Sequence, residues 1–194
     1  MTRTHRRISH TLSNVASVLL ACFVLFTNAS ALGVTFSEDT YIGPGDATYD
    51  NEDIVVDGCT LTVDGTHPFN SLLVINNGVV THSPNGATQE FWMDLTIAAH
   101  VTVEAGSRID VDGMGYPAET GPGAGGEDYG YGSGAGYGGN GGINHRSTPG
   151  GLAYGSIVEP TDLGSGGGHS SNGGSGGGAI RLSVNGTLTV DGNL

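Results

Sequence analysis

Asp110 and Asp112 stand two residues apart in the segment Arg108-Ile109-Asp110-Val111-Asp112-Gly113. In an extended strand this spacing puts both carboxylates on one face, about 7 Å apart. Carboxyl groups roughly 5–10 Å apart beside a sugar groove are what glycoside hydrolysis requires. The same spacing also follows from period-two alternation alone, and aspartate before glycine is ordinary turn chemistry. Calcium binding is a second chemistry open to these residues. Asp57, Asp64, Asp110, Asp112 and Asp191 all lie next to or near glycine at strand ends. Stacked turns would bring carboxylates and carbonyls together, and calcium takes roughly six to eight oxygens. Asp110 and Asp112 are therefore the candidate metal ligands and calcium the candidate ion, although no EF-hand loop or RTX nonapeptide is present.

The other reactive side chains point less sharply. His67, His82, His100, His145 and His169 lack a metal-ligand spacing such as H-E-x-x-H and read as surface or corner residues. Trp92, Tyr129, Tyr131 and Tyr137 could stack on sugar rings, or equally be buried beneath the glycine-rich part of the chain. Cys59 lies in the apolar alternation Cys59-Thr60-Leu61-Thr62-Val63 and reads as a buried structural thiol. A polysaccharide lyase would need an Arg or Lys base, and beyond residue 31 only Arg108, Arg146 and Arg181 supply a permanent positive charge.

The elements that must position these residues are strands. Ile54–Asp57, Thr60–Val63, Ser71–Ile75, Val79–Thr81, Asp94–Ile97, His100–Glu104, Arg108–Val111, Ala179–Val184 and Thr187–Val190 alternate apolar and polar residues. Gly, Asn or Asp punctuates almost every one. No stretch after residue 31 carries a sustained helical stripe. Thr60-Leu61-Thr62-Val63-Asp64-Gly65 recurs identically at 187–192. Leu95-Thr96-Ile97 and Val101-Thr102-Val103 align with Leu182-Ser183-Val184 and Leu188-Thr189-Val190. Short strands, tight polar corners and internal repetition predict an all-β fold: a right-handed parallel β-helix (a pectin-lyase-like solenoid) over 32–113, resumed at 179–194. A β-sandwich is the alternative.

Residues 113–178 hold 26 of the 36 glycines. Such composition usually marks a flexible linker. The interleaved Tyr, Pro, Asn and His point instead to an ordered insert over 114–178, in which glycine permits close backbone approach. Val103 to Pro117, Gly121-Pro122-Gly123-Ala124-Gly125, Gly134 to Gly142, Tyr154-Gly155-Ser156, Gly164 to Gly168 and Gly176 to Leu182 follow in an order that resembles a glycine-rich module of large secreted or cell-surface proteins. The resemblance covers roughly residues 95–194. It implies β-helical rungs around a glycine-rich excursion, with no established activity and no catalytic residues to carry over. In such proteins another rung follows, so the end at Leu194 reads as a truncation.

Residues 1–31 carry Arg3, Arg6 and Arg7, an apolar run from Val15 to Phe26 and small residues through Ala31. This is the pattern of a cleaved signal peptide, too short for a membrane span. Cys22 reads as one more apolar signal residue and not as a lipidation site. Beyond Ala31 the chain has three basic and nineteen acidic residues, a formal charge of −16. Nucleic acid is excluded as a partner, because phosphate binding needs clustered cations. The expectation is a secreted or cell-surface structural or adhesive protein without an evident catalytic site. The alternative is a carbohydrate-binding or carbohydrate-active β-helix protein, and the candidate partners are extracellular polysaccharide and other surface proteins.

Overall fold

The computed structural model describes residues 33–169 and 172–194. The signal-peptide reading and Cys22 lie outside the described residues. Fourteen strands are formed: β1 Val34–Phe36, β2 Thr40–Ile42, β3 Asp53–Asp57, β4 Thr60–Val63, β5 Gly65–Phe69, β6 Ser71–Ile75, β7 Val79–Thr81, β8 Met93–Ile97, β9 Val101–Val103, β10 Arg108–Ile109, β11 Glu127–Asp128, β12 Tyr131–Gly132, β13 Ile180–Val184 and β14 Leu188–Val190. The only helix among the described residues is a 3-10 turn at Ala47–Tyr49, capped by the Asp46 carboxylate. None is long and apolar enough to cross a membrane.

Three parallel sheets account for all strands but the β11–β12 hairpin. Their orders are β1-β3-β6-β9-β14, β10-β7-β4-β2 and β13-β8-β5. Successive strands pass from sheet to sheet, so each sheet collects strands distant in sequence. This parallel pairing differs from the antiparallel sheets of a β-sandwich. Val34, Ile54, Leu72, Val101 and Leu188 form one column of the first sheet. The alignment of 95–103 with 182–190 is a physical stacking: Leu182 pairs with Leu95, Val184 with Ile97, Leu188 with Val101 and Val190 with Val103.

Period-two alternation fills the interior. Ile54, Val56, Leu61, Val63, Leu72, Val74, Leu95, Ile97, Val101 and Val103 are all buried in one cluster. Burying each such side chain stabilises the fold by about 1.5–3 kcal/mol. Cys59 is buried there too, its Sγ donating to the Phe36 carbonyl at 3.3 Å, and burial pushes its thiol pKa up. One expectation is corrected. His67 and His82 are not surface or corner residues but are each about 1% exposed, and Asp64 is wholly buried as well. The burial is stabilised by polar partners. His67 lies 3.3 Å from Asp50 and 3.1 Å from the Asp64 carbonyl. Asp64 accepts the Ser83 N–H at 2.7 Å.

The glycine-rich stretch is a packed body. Its segments run side by side with few β-ladders, joined by backbone hydrogen bonds. Tyr116 donates to Gly164 at 3.0 Å, Gly176 to Tyr116 at 2.8 Å, Gly136 to Gly123 at 2.8 Å and Gly151 to Gly134 at 2.9 Å. Backbone lies directly on backbone. A Cβ at Gly151 would sit 1.8 Å from the Gly123 carbonyl oxygen, and one at Gly166 1.9 Å from that of Pro117. Leu163 is fully buried within this body, and the Tyr154 hydroxyl donates to its carbonyl.

Candidate functional site

The third sheet turns one face inward and one outward. Met93, Leu95 and Ile97 of β8 are buried, so Asp94 and Thr96 point the other way. Arg181 of β13 is the register partner of Asp94, and its guanidinium approaches the carboxylate at 3.8 Å. Beside this pair a cleft of about 510 Å³ is lined by Gln89, Trp92, Asp94, Glu159, Thr161 and Arg181, with Met93, Val158, Pro160, Ala179 and Ile180 completing its walls.

Each wall is fixed by its own hydrogen bonds. Asn85, 7% exposed, accepts from the backbone N–H groups of Glu90 and Phe91 at 2.7 and 2.8 Å. Its amide donates to the carbonyls of Phe91 and Met114, both at 2.9 Å. One side chain thus folds the 86–91 loop and delivers Gln89 and Trp92 to the cleft. The Trp92 carbonyl accepts from Gly65 at 2.7 Å while its side chain stays 40% exposed. On the opposite wall, the Ser156 hydroxyl accepts from Val158 and Glu159. The β13 wall is secured where the glycine-rich body returns to the sheet. Gly178 donates to the Val111 carbonyl at 2.8 Å, and the Ala179 N–H donates to His82 Nε2 at 3.1 Å. His82 Nδ1 meets the Ser83 carbonyl at 2.7 Å, so the imidazole is a neutral Nδ1–H tautomer bonded at both nitrogens. Burial lowers its pKa, opposed by the Ser83 hydrogen bond and the nearby Asp64 charge.

An exposed indole, two carboxylates, a guanidinium, an amide and a hydroxyl around an open cleft offer an apolar platform ringed by donors and acceptors. That is the complement of a sugar, which has an apolar ring face and a polar rim.

The sequence-nominated residues lie elsewhere. The Asp110 carboxylate accepts from Arg108 Nε at 3.0 Å and from the Asp112 N–H at 2.9 Å. Asp112 is exposed beside Gly113, whose φ is +71°. The two residues form a turn, and neither reaches the cleft lining. Among the described residues, no three His, Cys, Asp or Glu side chains gather as a metal site. Of the aromatic candidates, Trp92 lines the cleft and Tyr129 and Tyr131 are exposed, whereas Tyr137 packs edge-on against Tyr154 at 5.1 Å. Gln89, Asp94, Glu159 and Arg181 were not singled out as site residues. The one legible signal for them was the alignment of 95–97 with 182–184, which places Arg181 beside Asp94. Comparison with protein-family models, curated proteins and solved structures finds no significant match to this chain.

Proposed function

We propose that this is a secreted or cell-surface structural and adhesive protein, built as a right-handed parallel β-helix with a glycine-rich excursion, that holds extracellular polysaccharide in the Trp92 cleft. The cyclic passage of the chain through three parallel sheets supports the β-helix. The basic-then-apolar start and the order of glycine motifs support export and surface display. The observation that carries the binding function is the cleft itself, where an exposed tryptophan faces an Asp–Arg pair and a second carboxylate.

The test is a pull-down on insoluble polysaccharides, run beside assays for new reducing ends and unsaturated products. Retention on at least one glycan is expected, with about tenfold or greater loss in Trp92→Ala and no product formed. Turnover abolished by Asp110→Ala or Asp112→Ala would show an enzyme instead and overturn the adhesive reading.

A further inference from the structure

The β11–β12 hairpin has a two-residue turn, Tyr129-Gly130, because Asp128 pairs with Tyr131. Both turn residues have positive φ, +50° and +80°. These are the values of a type I′ turn, whose first position favours Asn, Asp or Gly. A bulky residue with positive φ is an uncommon conformation, and strain of this kind concentrates at functional sites. Packing does not account for it, since Tyr129 is 84% exposed.

The surroundings of this tyrosine form a built surface. The Arg146 guanidinium lies 5.4 Å from the Tyr129 ring centroid and 5.3 Å from that of Tyr131. His145 meets Tyr131 edge-on at 4.0 Å. Asn144 pre-shapes the loop. Its side-chain oxygen accepts from the N–H groups of Arg146 and Thr148 at 2.9 Å each, and its amide donates to the Tyr131 carbonyl at 2.6 Å. Arg108 and Arg181 are each paired with an aspartate, whereas Arg146 has no ion pair among the described residues. In a chain so rich in acid, this cation is held by aromatic rings and left open to solvent.

We infer that Tyr129, Tyr131, His145 and Arg146 form a second binding site, one that takes a carboxylated sugar ring such as a hexuronate. The exposed Tyr129 ring offers the stacking face. The Arg146 fork matches a carboxylate bidentately, which a neutral sugar lacks. Of the hairpin's own carboxylates, Glu127 is exposed and accepts the Gly130 N–H at 3.2 Å, and Asp128 is half-buried. The net negative charge of the chain opposes an acidic ligand, but beyond about 8 Å it is screened at physiological salt. The inference rests on the proposed function only in its choice of a sugar ligand, and the two sites have separate variants.

The experiment is calorimetric titration of the chain with a galacturonate trisaccharide and with its neutral methyl ester. The acid form is expected to bind at least tenfold more tightly than the ester. Arg146→Ala should abolish that preference, and Arg146→Lys should not restore it. Tyr129→Asn should weaken binding while keeping or raising the melting midpoint, since Asn suits the turn; Trp92→Ala should leave uronate binding unchanged. Equal binding of acid and ester, no uronate binding, or uronate binding lost in Trp92→Ala but kept in Arg146→Ala would each overturn the site. Loss of retention on insoluble glycans in Trp92→Ala, with uronate binding kept, would leave both sites standing.

Discussion

His82 shows how one buried side chain ties the core to the cleft. Its imidazole accepts the Ala179 N–H, immediately before the strand that carries Arg181. Burial lowers its pKa in the folded state, so an unfolded chain takes up a proton near pH 6.5 that the folded chain refuses. The stabilising contribution is present above about pH 6.5 and is lost as pH falls toward the depressed folded value. Protonated Nε2 could no longer accept from Ala179. Chemical denaturation of wild type should therefore show stability declining as pH drops below about 6.5. His82→Gln should flatten that part of the profile, and an unchanged slope would remove His82 as its source. Asp53, whose pKa is lowered by hydrogen bonds from Ser71 and Asn70, adds a loss only in the more acidic carboxylate range.

At the scale of elements, the glycine-rich body makes the most exposed claim. Its order depends on backbone segments approaching too closely for any Cβ. Gly151→Ala would place a methyl 1.8 Å from a carbonyl oxygen, whereas Gly139 has open space around it. Overpacking of this kind costs about 1–3 kcal/mol or more. Gly151→Ala should lower the melting midpoint and raise amide exchange across 115–178, while Gly139→Ala should change neither. Equal tolerance of both would mean a loose segment. The strands carrying strict alternation, such as Thr60–Val63 and Asp94–Ile97, were legible in the sequence because one face is buried and the other is not. β5 was not, because Gly65 and Pro68 read as breakers. Pro68 is accommodated because β5 is the edge of its sheet, pairing only with β8.

At the scale of the molecule, the cleft was largely illegible because it assembles segments near residues 89–94, 157–161 and 179–181 across the whole glycine-rich excursion. Asp110 and Asp112 attracted notice by their spacing, yet alternation alone produces that spacing, and the structure assigns one of them to Arg108. What the sequence did carry was the stacking of β8 under β13, which creates the Asp94–Arg181 pair. In the function proposed above the chain is a displayed scaffold, and the cleft is where that scaffold would hold a glycan.

Trp92 is the single tryptophan of the chain and lines the cleft, so the protein carries its own reporter. The most direct measurement is tryptophan fluorescence during titration with polysaccharide fragments, with acrylamide quenching before and after saturation. The account predicts a saturable change in emission for at least one glycan, reduced acrylamide access when bound, and about tenfold or greater weakening in Arg181→Ala read by the same signal. Calorimetric binding of a glycan that survives Arg146→Ala, with Trp92 emission and quenching unaltered at saturation, would contradict it.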